Sequence, residues 1–140
     1  MLAGVEVPHP EGLAGHSDAD VAAHAVMDAL LGAAGLGDIG ELFPDTDAAY
    51  RDADSIELLA EVTRRLAAAG WRVVNVDLTL VCEAPRLAPH RAEMKARLAA
   101  ALGAAPAAVG VKATTTERMG FAGRGEGIVA LAVCLVSDEA

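Results

Sequence analysis

From Trp71 to Val81 the apolar residues fall at every second position, with Val74, Val76, Leu78 and Leu80 on one face and Asn75, Asp77 and Thr79 on the other. That period belongs to a strand with one buried and one wetter face, which is stable only where other elements cover its apolar side. The covering elements are legible around it. Ser17-Asp18-Ala19-Asp20 offers an N-cap with a carboxylate three residues on, predicting a helix that runs to about Gly35. Asp54 followed by Glu57 repeats the signature for a second helix ending at Gly70, and Pro89 opens a third that Gly103 closes. Val109 to Thr115 and Gly127 to Val136 read as two more strands, the latter apolar on both faces, and Val5 to Pro8 as one further short strand. The order β-α-α-β-α-β-β predicts an α/β sandwich, a mixed sheet covered by helices, in one domain over residues 1–140.

Composition narrows what such a sandwich can be. Apolar residues make up 54% but aromatics only 3%, so the core is built from Ala, Val and Leu, and a core of small side chains invites oligomerisation. A formal charge of −9 argues against nucleic-acid binding, which needs a basic face, and obliges an anionic ligand to find local cations or metal ions. Cys82 and Cys134 both lie in apolar, strand-like runs and read as buried free thiols. No run is long enough to span a bilayer, and cytoplasm is the expected compartment.

Four segments carry residues with chemistry. Lys112-Ala113-Thr114-Thr115-Thr116-Glu117-Arg118 sets hydroxyls and cations beside a carboxylate, a pattern suited to a diphosphate carrying a hard cation. The same run also reads as a strand end entering a turn. Gly120-Phe121-Ala122-Gly123-Arg124-Gly125-Glu126-Gly127 follows. It is not a dinucleotide fingerprint, because it precedes a strand instead of opening a helix. Asp20, His24 and Asp28 recur every four residues on one helix face, behind His16 and Ser17 at its start. That spacing suits a metal-binding imidazole with a carboxylate neighbour, and equally a solvated polar stripe with Ser17 as a cap. Asp38-Ile39-Gly40-Glu41-Leu42-Phe43-Pro44-Asp45-Thr46-Asp47 is rich in turn formers and is expected to be neither strand nor helix. Its acids could receive a polyol's hydroxyls or serve as turn residues. Cys82-Glu83-Ala84-Pro85-Arg86-Leu87-Ala88 joins a strand to a helix through a stiff loop that could read a base edge or merely connect.

His-Ser-Asp-x-Asp-Val-x-x-His from His16, Asp-Ile-Gly-x-Leu-Phe-Pro-Asp-Thr-Asp from Asp38, Lys-Ala-Thr-Thr-Thr-Glu from Lys112 and Gly-Phe-x-Gly-Arg-Gly-Glu-Gly from Gly120 together resemble the 2-C-methyl-D-erythritol 2,4-cyclodiphosphate synthases. The match runs in order from about Gly4 to Val136. The resemblance implies a chorismate-mutase-like or ferredoxin-like topology in a homotrimer, with active sites between subunits. It also implies the conversion of 4-diphosphocytidyl-2-C-methyl-D-erythritol 2-phosphate to the cyclic diphosphate and CMP, in non-mevalonate isoprenoid synthesis. On it, His24 is a zinc ligand, His16 and Thr115 position the reacting phosphates with Ser17 beside them, and Glu117 holds magnesium or manganese. Asp38, Ile39 and Gly40 meet the methylerythritol hydroxyls, and Phe43, Pro44, Asp45, Thr46 and Asp47 form a flap. Cys82, Glu83, Ala84, Pro85, Arg86, Leu87 and Ala88, with Thr114, Thr115, Thr116 and Glu117, line the cytidine diphosphate pocket. Phe121 and Arg124 lie toward the trimer axis, where an isoprenoid diphosphate could bind.

The resemblance has one gap. Family members open with a strand carrying Gly-x-Asp-x-His, whose Asp and His complete the zinc site, whereas this chain starts at Met1-Leu2-Ala3-Gly4-Val5. The chain is therefore expected to be truncated at its N-terminus relative to the family, with an incomplete zinc site. The alternative function is a non-catalytic trimer that binds a cytidine nucleotide or an isoprenoid diphosphate.

Overall fold

The alternating run becomes the central strand of a three-stranded sheet. In the computed structural model, which describes residues 1–8, 20–44 and 53–139, β1 (Arg72–Val81) runs parallel to β2 (Val109–Thr114) on one side and antiparallel to β3 (Val129–Ser137) on the other. Val76, Leu78 and Leu80 are buried, while Asn75 and Asp77 face outward, as a period of two requires. Val74 breaks the phase. The β1–β3 register slips between Val73 and Asn75, so Val74 is the extra residue of a bulge and is only half-buried.

Helix α1 (Val21–Ala34) packs chiefly on β3 and on α3 (Ser55–Ala68), which meets α4 (Arg91–Leu102), which covers β2. This is the helix-covered mixed sheet that the element order predicts. Met27, Leu30, Leu31, Leu59, Leu66, Leu78, Leu80, Met94 and Leu98 fill the space between the layers without any large ring. Ala22 and Ala23 on α1 and the inward Ala130 and Ala132 of β3 join this core, and small side chains let backbones approach closely.

The helix ends follow local chemistry. Asp54 caps α3 by accepting the Ile56 amide at 2.8 Å, and Gly35 and Gly103 close α1 and α4 at φ 70° and 62°, a region where a side chain is strained. Among the described residues no helix is long and apolar enough to cross a membrane.

Several expectations need correction. Helix α1 begins at Val21 with Asp20 as its cap, not as the third residue of a box begun at Ser17, because the Asp20 carboxylate also serves amides elsewhere in the chain. Val5 to Pro8 forms no strand. Leu2 and Val5 make one isolated bridge across a tight reversal at Ala3 and Gly4, whose amides point to Asp20 instead of a neighbouring strand. The segment after Asp38 holds a single helical turn, α2 (Ile39–Leu42), nucleated when Asp38 accepts the Glu41 amide. The glycine-rich run likewise holds one turn, α5 (Gly120–Gly123). β2 stops at Thr114 instead of Thr115, and β3 starts two residues later than expected, at Val129.

Candidate active site

Two loops meet where the parallel strands end. β1 and β2 are paired up to Val81 and Thr114, and the Cys82 amide continues the ladder by donating to the Thr114 carbonyl at 2.9 Å. The ladder ends there, and the crevice beyond the carboxyl ends of parallel strands is where such sheets bind ligands. The loop after β1 and the end of β2 line an open groove of about 160 Å³ formed by Cys82, Glu83, Pro85, Arg86, Leu87, Ala88, Ala113, Thr114 and Thr115. The Ala84–Pro85 peptide is cis. The Cys82 thiol donates to the Ala84 carbonyl at 2.9 Å. Burial pushes this thiol above its ordinary value, so it lines the groove as a neutral group. That volume is below the few hundred Å³ of a typical complete small-molecule site, so the groove suits part of a larger ligand.

The turn that follows β2 is unusual. Glu117 and Arg118 both adopt left-handed backbone, at φ 55° and 66°, although neither is glycine. Each such residue costs on the order of 1 kcal/mol or more and persists only where its surroundings over-determine it. Here they do. Glu83 Oε1 accepts the Arg118 amide at 2.8 Å and the Thr116 amide at 3.3 Å, and the Thr115 hydroxyl accepts the Glu117 amide at 3.2 Å. The Thr116 hydroxyl has a single proton, which goes to the Met119 carbonyl at 2.6 Å and not to Glu83 at 3.5 Å. On the other side α5 lies against the turn so closely that a Cβ on Gly123 would fall 2.2 Å from the Arg118 carbonyl carbon. The Glu117 side chain is left exposed.

A second group gathers around α1. His24 is half-buried, with Nε2 3.3 Å from the hydroxyl of Ser55, a fully buried residue at the first turn of α3. One turn on, Asp28 accepts the Ile39 amide at 2.9 Å and so fixes the start of α2 and the segment from Asp38 to Gly40. Phe43 closes that segment under the Arg65 guanidinium, 5.7 Å from the ring centroid. Arg65 is itself paired with Glu61, whose carboxyl is held below its usual range by hydrogen bonds from Arg64 and Arg65.

The family model described as the YgbB family matches residues 1–137. The chain belongs to this family. The 2-C-methyl-D-erythritol 2,4-cyclodiphosphate synthase of Alkalilimnicola ehrlichii is 61% identical over 139 residues, 99% of this chain and 85% of the relative. A structure of 2C-methyl-D-erythritol-2,4-cyclodiphosphate synthase in a CDP-bound form superposes with a TM-score of 0.89 at 37% identity, covering 98% of this chain and 89% of that one. The bifunctional IspDF of Campylobacter jejuni superposes at 0.93 with 43% identity, and 97% of this chain spans 37% of that longer protein.

In this YgbB-family chain the fold brings the 82–88 loop and Thr114 to Glu117 together, the juxtaposition that the family resemblance implies. It places Asp38, Ile39 and Gly40 against α1 beside Asp28. It does not gather the two groups at one point of the chain, because α1 packs chiefly on β3, at one edge of the sheet, whereas the groove lies past the ends of central β1 and of β2. Phe121 is half-exposed and Arg124 pairs with Glu126 at 2.8 Å. His16, Ser17, Asp45, Thr46 and Asp47 lie outside the described residues. Among the described residues no three His, Cys, Asp or Glu side chains are grouped to hold a metal ion.

Sequence reading misses Ser55, which it treats only as the residue after a helix cap. It also gives Asp20 and Asp28 to one polar face, whereas Asp20 is fully buried and Asp28 is exposed. Ser55 leaves no periodic signal, since it meets His24 only through the packing of α1 on α3.

Proposed function

We propose that this chain converts 4-diphosphocytidyl-2-C-methyl-D-erythritol 2-phosphate into 2-C-methyl-D-erythritol 2,4-cyclodiphosphate and CMP, a phosphorus–oxygen lyase reaction of isoprenoid synthesis. The observation that carries this reading is the groove at the carboxyl ends of β1 and β2, in a chain that matches CDP-bound relatives over almost its whole length. The cytidine end of the substrate occupies that groove, and the diphosphate reaches the Thr114 to Glu117 turn. The substrate's own 2-phosphate oxygen attacks the β-phosphorus, a new phosphorus–oxygen bond forms, and the bond to the α-phosphate breaks to release CMP. The chain's task is to hold both ends of a flexible polyol in line, which removes much of the entropic barrier. Thr115 and His16 orient the phosphates, Asp38 and Gly40 take the hydroxyls, and residues 43–47 close over them.

A single exposed carboxylate beside substrate phosphates is the usual protein share of a magnesium or manganese site, and Glu117 fits it. When bound there, that ion supplies charge neutralisation at the α- and β-phosphates. The described residues do not fit zinc: His24 is one donor, where a catalytic zinc site takes three. No step is assigned to it.

The separation of the two groups across the sheet favours sites shared between copies in a homotrimer. Leu131, Val133 and Leu135 support that assembly. They line the outward face of β3 at 59%, 71% and 55% exposure, an apolar row of the kind that marks an interface. An isoprenoid diphosphate near Phe121 and Arg124 has to compete with Glu126 for the guanidinium. The free thiols Cys82 and Cys134 suit the cytoplasm. The alternative of binding without turnover is not favoured, given 61% identity to a synthase over 99% of the chain.

CMP release from the diphosphocytidyl substrate, followed by chromatography with magnesium, manganese and zinc present, tests the reaction. Turnover that disappears in Glu117→Gln is the expected result. Absence of CMP under every metal condition overturns the assignment.

A further inference from the structure

The loop after β1 does more than line the groove. Glu83 reaches across to the turn after β2, and both of its short contacts are made by one atom. Oε1 accepts the amide on each side of Glu117, that of Thr116 at 3.3 Å and that of Arg118 at 2.8 Å. These bonds span 33 and 35 positions of sequence, and they hold the two consecutive left-handed residues Glu117 and Arg118. Nothing in the turn's own sequence favours that backbone, since left-handed conformations go to glycine and, less often, to asparagine or aspartate. Gly123 blocks relaxation from the other side, its backbone lying against that of Arg118. A carboxylate that receives amides at this spacing also fills the concavity that such a turn otherwise offers to an anion.

We propose that Glu83 is a positioning residue: it holds the 116–118 turn in its left-handed form, aims the Glu117 carboxylate, and keeps phosphate out of the amide concavity behind it. The inference rests on the reading of Glu117 as a metal-holding carboxylate, but the clamp itself does not. Because one oxygen accepts both amides, a neutral amide side chain with one carbonyl oxygen can replace it. A charge-dependent role, as a metal or base contact, cannot be replaced in that way.

Two variants, Glu83→Ala and Glu83→Gln, separate these possibilities in the full chain. Amide hydrogen exchange reads the clamp directly: Thr116 and Arg118 should exchange at least tenfold faster in Glu83→Ala and near the parental rate in Glu83→Gln. Manganese titration in the presence of CDP, followed by electron paramagnetic resonance, should show weakened manganese binding in Glu83→Ala and recovery in Glu83→Gln. Under turnover the alanine variant should lose on the order of 100-fold in kcat, with KM changed far less, as a displaced catalytic group does. Glutamine should restore most of that loss. Equal defects in alanine and glutamine overturn the proposal in favour of a direct charge contact, and unchanged exchange at Thr116 and Arg118 in Glu83→Ala overturns the clamp. Altered exchange with unaltered manganese affinity refutes the aiming of Glu117. If the parent protein releases no CMP, the functional reading fails, while the exchange measurement still decides the clamp.

Discussion

Asp20 is the residue whose loss should cost the fold most for its size. It has no exposed surface, and its carboxylate accepts three backbone amides among the described residues: Ala23 at 2.9 Å and Ala3 at 2.8 Å through Oδ1, and Gly4 at 2.8 Å through Oδ2. One bond caps α1; the other two fasten the residue 2–5 reversal onto the helix start. Removing an N-cap side chain costs about 1 kcal/mol, and a buried donor left without an acceptor costs roughly 1–3 kcal/mol. Asp20→Ala therefore removes about 3–7 kcal/mol, a large share of the 5–15 kcal/mol that holds a typical domain. Asp20→Asn retains Oδ1 for Ala3 and Ala23 but turns an NH2 group against the Gly4 amide, one failed bond in place of three. Its cost should be roughly 1–3 kcal/mol. Urea unfolding at fixed protein concentration, followed by the fluorescence of the single tryptophan Trp71 and by circular dichroism, measures both. The expected order is parent, then asparagine, then alanine. An alanine variant within about 1 kcal/mol of the parent, or an asparagine variant as damaged as alanine, refutes the three-amide account.

Two further outcomes test other parts of the structure. Val133→Lys, at the most exposed position of the apolar row on β3, should shift the proposed trimer to a monomer in light scattering while leaving the helical signal intact; an unchanged oligomeric state removes the row from the proposed interface. The thiols of Cys82 and Cys134 are both raised by burial, so the unfolded chain ionises them first. Stability should be whole below the ordinary thiol value and fall as pH rises through it toward the folded values. A Cys82→Ser, Cys134→Ser double variant should show a shallower alkaline loss of the urea midpoint between about pH 8 and pH 10, and identical slopes count against buried thiols as the cause.

What the amino-acid order determined by itself is what depends on neighbours in the chain. Asp54 caps a helix with an amide two residues away, Gly35 and Gly103 end helices because they alone among neighbours tolerate a left-handed backbone, and Val76 to Leu80 alternate because a strand's side chains do. The threonine triplet and the 82–88 loop stay open between site and plain connection on residue chemistry, and only the family resemblance joins them in one pocket. Tertiary structure decided the rest. The β2-β1-β3 order, the bulge that turns Val74 out of phase, the meeting of His24 with Ser55 and the descent of Asp20 into the core all depend on residues far apart in sequence. Glu83 shows the physical reason most plainly. A lone glutamate in a loop carries no local pattern, and its role exists only because two parallel strands end side by side and bring it to a turn some 35 residues away.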